Sequence, residues 1–268
     1  MEGAGVRLNR VFGFHEVPDL DPFLLLDHFG SDNPDDYLAG FPWHPHRGIE
    51  TITYMIKGEV EHEDSLGNKG VIGPGDVQWM TAGSGIEHQE MPHRTEGMMT
   101  GFQLWANLPA SHKMMGPRYR DITKDDIPVV TLGGGVTVKI VAGEINGTKG
   151  PVQDIVTDPE YIDVSMPKSS EFVHPVTKGH NVFAYVFEGS GYFDHTKKAE
   201  LTTGAIAHYG DGDLIRVMSS DSPVRFLLVS GKPIQEPVAW RGPIVMNTQE
   251  ELRVAFAEYR SGTFIKRK

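Results

Sequence analysis

The sequence predicts an all-β protein of two similar barrel or sandwich domains, with one short helix near its C-terminus. Three observations carry that expectation. First, 31 glycines and 18 prolines are spread through 268 residues as punctuation rather than gathered in a linker, the pattern of many short strands joined by turns. Second, the apolar runs between them are short and rich in β-branched and aromatic residues, and helical periodicity is sustained only near the end. Third, a strand–glycine pattern occurs twice. Tyr54-Met55-Ile56-Lys57-Gly58 answers Tyr185-Val186-Phe187-Glu188-Gly189 at an offset of 131 residues, and Gly75-Asp76-Val77 answers Gly212-Asp213-Leu214 with six residues more in the second copy. Two matches in the same order indicate a duplicated β domain.

In chain order, strands are expected over Thr51–Ile56, Val77–Met80, Val136–Val141, Val182–Phe187 and Val224–Val229. Each run is bounded by glycine, proline or aspartate, as turn chemistry requires. The helix opens on Thr248-Gln249-Glu250-Glu251, a capping-box pattern, continues with Leu252, Ala255, Phe256 and Tyr259 at helical spacing, and closes at Gly262. The domain boundary is expected near residue 130, where Leu108-Pro109-Ala110 gives way to Asp125-Asp126-Ile127-Pro128. That assigns 1–130 to one domain and 131–268, with the helix, to the other.

Composition removes several function classes. Acidic residues outnumber basic ones 36 to 25, for a net charge of -11 and a pI near 5.5, so no direct nucleic-acid contact is expected. Cysteine is absent, which excludes disulfides, thiolate catalysis and cysteine-held clusters. No run approaches the ~18 apolar residues of a membrane helix, and the opening residues carry neither a basic nor an apolar leader region. The expected compartment is the cytoplasm, without membrane attachment.

The chemistry concentrates in the first domain. His44-Pro45-His46 places two imidazoles at i and i+2, on one face of an extended segment, and Pro45 favours that geometry for His44. His88 and Glu90 repeat the spacing after Gly83-Ser84-Gly85-Ile86-Glu87. Two same-face pairs on separate strands would offer three neutral imidazoles and a carboxylate, a donor set suited to iron(II), manganese, nickel, copper or zinc. Counting from the repeat puts Pro175, Thr177, Arg225 and Leu227 at the corresponding places of the second domain. None of these is a ligand, so one ion per chain is expected. Arg47 reads as an ion-pair partner and His62 as a hairpin-turn residue. Phe41, Trp43, Phe102 and Trp105 are candidates to line an apolar pocket.

The motifs resemble a known family. Phe41-Pro42-Trp43-His44-Pro45-His46-Arg47-Gly48-Ile49-Glu50-Thr51 is similar to the first cupin motif in its pirin form. Gly73-Pro74-Gly75-Asp76-Val77-Gln78-Trp79-Met80-Thr81-Ala82-Gly83-Ser84-Gly85-Ile86-Glu87-His88-Gln89-Glu90-Met91-Pro92 resembles the second pirin motif almost residue for residue. Glu236-Pro237-Val238-Ala239-Trp240-Arg241-Gly242-Pro243-Ile244-Val245-Met246-Asn247-Thr248 resembles the close of pirins. The resemblance implies a bicupin, two antiparallel cupin β-barrels face to face, with one metal in the N-terminal barrel and His44, His46, His88 and Glu90 as its ligands. Many other cupins use the glutamate four residues after His-x-His. Glu50 holds that place, and it stands as the alternative ligand or as a residue beside the ion.

Two functions follow from the resemblance. One is a quercetin 2,3-dioxygenase-like enzyme that opens the central ring of a flavonol with O2 and releases carbon monoxide. In it Glu90 takes the substrate's hydroxyl proton and Fe(II) is the foremost ion, with Mn, Ni, Cu, Co or Zn as the others. The other is a non-catalytic, iron- or redox-sensing regulator of a protein partner, of the transcriptional-cofactor kind described for animal pirins. The chain is expected to act as a monomer.

Overall fold

Short β-branched runs broken by glycine form antiparallel strands, and their pairing decides where the functional side chains point. The structure is a computed structural model that describes residues 2–16 and 19–266. The strands are β1 (Leu8–Phe12), β2 (Phe23–Ser31), β3 (Phe41–His46), β4 (Ile49–Lys57), β5 (Val60–Asp64), β6 (Lys69–Ile72), β7 (Val77–Thr81), β8 (Ile86–Pro92), β9 (Met99–Asn107) and β10 (Arg118–Ile122). They continue as β11 (Val129–Thr131), β12 (Thr137–Ala142), β13 (Glu144–Ile145), β14 (Thr148–Lys149), β15 (Glu160–Met166), β16 (Glu171–Pro175), β17 (Asn181–Tyr192), β18 (Glu200–Thr202), β19 (Ile206–Tyr209) and β20 (Leu214–Gly231). A hairpin, β21 (Ala239–Arg241) and β22 (Ile244–Met246), precedes the helix α1 (Gln249–Arg260). The helix opens with the expected capping box: Thr248 accepts from the Glu251 amide, and the Glu251 side chain accepts from the Thr248 amide. Gly262 leaves it at a φ of 72°, a left-handed conformation suited to glycine.

Contacts divide the chain into two compact units. One takes the residues up to Asp19, Phe23–Lys124 and the chain from Ile234 onward; the other takes Leu20–Pro22 and Asp125–Pro233. The return of the last segment to the first unit departs from the expectation that 131–268 forms one domain with the helix. Two buried cations account for it. Arg47, 2% exposed, donates to Glu258 Oε2 at 2.7 Å and to the Phe264 carbonyl at 2.9 Å, with its guanidinium over the Phe264 ring. The Lys113 ammonium, 1% exposed, donates to the Gly48 carbonyl at 2.9 Å, Asn107 Oδ1 at 2.6 Å and the Val245 carbonyl at 3.0 Å. Replacing Lys113 with methionine leaves three buried acceptors without a donor. We expect a loss of about 3 kcal/mol, read as a lower midpoint of urea unfolding.

In the first unit, a six-stranded sheet in the order β1-β2-β9-β4-β7-β10 faces a four-stranded sheet in the order β3-β8-β5-β6. β4 and β7 are buried on both faces except at the end of β4, whereas β5 and β8 alternate strictly between buried and half-buried residues. The second unit has an eight-stranded sheet whose inner face carries an apolar cluster including Phe172, Ile215, Val217, Phe226 and Leu228. Its match to the first unit differs from the sequence alignment. The Gly75 amide donates to Met55 O and the Met55 amide to Asp76 O, and the Gly204 amide donates to Val186 O and the Val186 amide to Ala205 O. Gly204-Ala205-Ile206, rather than Gly212-Asp213-Leu214, therefore occupies the place of Gly75-Asp76-Val77. Leu227 opposes Tyr185 as Phe102 opposes Tyr54, so Arg225 and Leu227 correspond to strand β9 and not to His88 and Glu90. The counterpart of β8 is the first half of β20, whose buried residues are Ile215, Val217 and Ser219.

Candidate metal centre

β3 and β8 pair antiparallel, with His44 opposite His88 and Phe41 opposite Glu90. Alternation along β8 turns Ile86, His88 and Glu90 inward and leaves Glu87 and Gln89 half-exposed. Gly48 ends the first arm at a φ of 79°, where a Cβ would lie 2.0 Å from the Val245 carbonyl oxygen. No side chain fits that turn.

The three histidines meet. His44 Nε2 lies 3.0 Å from His46 Nε2 and 2.9 Å from His88 Nε2, and ligand atoms of the three rings fall within 4.8 Å of one another. The far nitrogens fix the tautomers. His44 Nδ1 donates to the Pro42 carbonyl at 2.9 Å and His46 Nδ1 to the Pro243 carbonyl at 3.1 Å. With the protons on Nδ1, both Nε2 atoms present lone pairs to one point. Convergent lone pairs repel one another unless a cation lies between them, so the residues fit a transition metal. Burial holds His46 and His88 well below the usual histidine pKa, with the neighbouring imidazoles adding to the effect, so both are neutral, as ligands must be. Among the described residues no other such group occurs.

Glu90 stands apart from this group. Its carboxylate accepts from Thr53 Oγ1 at 3.1 Å and from Gln103 Nε2 at 3.2 Å, one inward position along β8 from His88. Glu50 faces elsewhere. It opposes Thr81 and accepts from the Thr81 hydroxyl at 2.6 Å. Position 50 lies on the face of β4 opposite to Thr53, whose hydroxyl serves Glu90. Although Glu50 is an even number of residues from His46, the two do not share a face, because the Arg47-Gly48 turn interrupts the strand between them. Burial pushes the Glu50 carboxyl up, against the Thr81 hydrogen bond and the charges of Arg118 and Arg120.

A cavity of about 670 Å³ opens beside the histidines, walled by Trp105, Trp240, Phe14 and Phe41 and edged by Gln103, Asp27 and Arg10. Trp105 stands edge-on to His46 at 5.0 Å between ring centroids. Of the aromatic residues expected to line a pocket, Phe41 and Trp105 do so. Trp43 is 46% exposed, and Phe102 is fully buried on the other sheet face, 4.7 Å from the His28 ring. His62, expected in a turn, is instead 1% exposed on β5 and hydrogen-bonded to Tyr119, with Asp121 at 3.3 Å. Sequence reasoning missed Asp27, Gln103, Pro243 and Trp240. A lone aspartate in the apolar run Leu24-Leu25-Leu26-Asp27 was the available signal, since a buried charge needs a partner.

Buried histidines also set an acid limit. Burial lowers His28 to about 4 and moves His46 and His88 in the same direction. Between pH 6.5 and about 4 the unfolded chain binds protons that the folded chain refuses, so this stability is complete above 6.5 and is lost as pH falls. His28 alone accounts for on the order of 3 kcal/mol. Thermal unfolding of metal-free protein is expected to show a falling midpoint from pH 7 to pH 4.5.

Similarity to known proteins agrees with this geometry. The family described as Pirin matches residues 5–106, and the Pirin C-terminal cupin domain matches residues 161–265. A pirin-like protein of Caulobacter vibrioides is 47% identical, covering 98% of this chain and 94% of its own length. Human pirin is 41% identical, covering 97% and 88%. A crystal structure of quercetin 2,3-dioxygenase from Acinetobacter baumannii superposes with a TM-score of 0.90 at 33% identity, covering 98% of this chain and 93% of that one. With both of its β units matched and the likeness running nearly end to end, this chain belongs to the pirin family and is built as a bicupin.

Proposed function

We propose that the protein is a metal-dependent dioxygenase of quercetin-like flavonols, with Fe(II) as the foremost ion. The observation that carries this reading is the convergence of three histidine ring nitrogens at the edge of a cavity with an aromatic wall. The likeness to a structure described as a quercetin 2,3-dioxygenase supports it. His44, His46 and His88 would hold the ion, with Glu90, next inward along β8, as the fourth donor. When bound, the ion supplies a Lewis-acidic template for the adjacent hydroxyl and carbonyl oxygens of a flavonol.

The chain's own residues do the rest. Glu90 takes the proton of the flavonol 3-hydroxyl, and Thr53 and Gln103 hold its carboxylate in place by donating to it. Trp105 and Phe41 present flat apolar surface to the substrate rings. In the overall reaction the flavonol and O2 become an ester-linked, ring-opened acid and carbon monoxide, with both atoms of O2 kept in the acid. The test is flavonol loss with carbon monoxide release, in protein loaded separately with iron, manganese, nickel, copper, cobalt or zinc. Protein that binds one ion per chain yet consumes no flavonol with any of them moves the reading to a regulator that senses metal oxidation state and acts on a protein partner.

A further inference from the structure

The site chemistry does not use the charged edge of the cavity. Arg10 opposes Asp27 across β1 and β2, Asp27 opposes Gln103 across β2 and β9, and Gln103 opposes Thr53 across β9 and β4. These four residues form one polar row on the inner face of the sheet. The row starts at the hydrogen bonds to Glu90 and ends at the cavity mouth. Asp27 is 4% exposed, and it holds Arg10 in a two-pronged pair, with Nε and Nη2 both at 2.8 Å from its oxygens. Glu2 takes a third contact at 3.2 Å from Nη1.

Guanidinium has five N–H groups, more than the three contacts to Asp27 and Glu2 engage, and Arg10 lines the cavity. The cluster of Asp27, Glu2 and Arg10 carries one net negative charge. It therefore disfavours a carboxylate or sulfate and suits a hydroxyl, which can donate to a carboxylate oxygen while accepting from the guanidinium.

We propose that Arg10, oriented by Asp27, is the specificity-determining residue of the cavity and reads a phenolic hydroxyl on the pendant ring of the substrate. This rests on the flavonol reading of the site. A site built to pair a hydroxyl discriminates strongly against the analogue that lacks it, because its polar groups are then left unpaired. Arginine's planar fork, pinned at two positions, loses little freedom in doing so.

The test is anaerobic binding to iron-loaded protein, followed by tryptophan fluorescence, with two probes. These are quercetin and galangin, the same flavonol without hydroxyls on its pendant ring. Wild-type protein is expected to bind quercetin the more tightly. Arg10→Met is expected to weaken quercetin about tenfold and to leave galangin within about twofold. Arg10→Lys keeps the charge without the fork, and it is expected to weaken quercetin selectively and carries the test if the methionine variant misfolds. Equal weakening of both probes, or no change in either, overturns the proposal while leaving the flavonol reading in place. Wild-type protein that binds neither probe overturns that reading and this proposal together.

Discussion

His46→Ala is expected to retain no more than about a tenth of wild-type metal, measured by elemental analysis after dialysis against a weak chelator. The ring is 1% exposed, its Nδ1 proton is committed to the Pro243 carbonyl, and its Nε2 lies 3.0 Å from that of His44. Removing it leaves two imidazoles, and it opens the C-terminal hairpin side of the centre where Pro243 approaches. The matched control is His174→Ala. That histidine is also buried, but it is bound to Glu160 at 3.0 Å in the second unit, so its loss should leave metal content unchanged. Full metal content in the His46 variant would sink the ligand assignment.

Glu90→Gln is expected to keep much of the metal and to lose flavonol turnover by about 10²–10⁴-fold, the usual cost of losing a general base. An amide still accepts from Thr53 and Gln103 but cannot take a proton at neutral pH. Metal content and rate must come from the same sample, since a metal-free variant is inactive for a different reason. Glu50→Gln provides the contrast. Its carboxyl is buried, pushed toward the neutral form and bonded to Thr81 on the other face of β4, so the amide should cost little in either metal or rate. The reverse outcome, a fast Glu90 variant and a dead Glu50 variant, would transfer the general-base role to Glu50.

The two carboxylates also show how far local pattern reaches. His44 and His46 share a face because they sit two apart on the stretch of β3 that stays in register with β8, and the same spacing on β8 puts His88 and Glu90 on one face. Glu50 is four residues from His46, an even number, yet it faces away from Thr53. Parity survives only while the backbone stays extended, and the turn at Gly48 resets it. The repeat shows the same limit. The strand that ends just before Gly58 and the one passing through Gly189 are true counterparts, with both glycines at positive φ. The Gly-Asp match downstream aligned the wrong turn, because loop length between strands is set by what the loops pack against.

Sequence by itself determined the β architecture, the capped C-terminal helix, the His44–His46 pair on β3 and the His88–Glu90 pair on β8, and the family. All of these rest on residue type and spacing over a few positions, where covalent geometry and turn chemistry dictate the outcome. Only the tertiary structure decided that the chain from Ile234 onward returns to the first unit. It also set the tautomer of His46 through a carbonyl 197 residues away, and it aligned Arg10, Asp27, Gln103 and Thr53 into one row. Those features depend on which strands become neighbours. Strand pairing is chosen by burial summed over the whole unit, and no short window of sequence contains that sum.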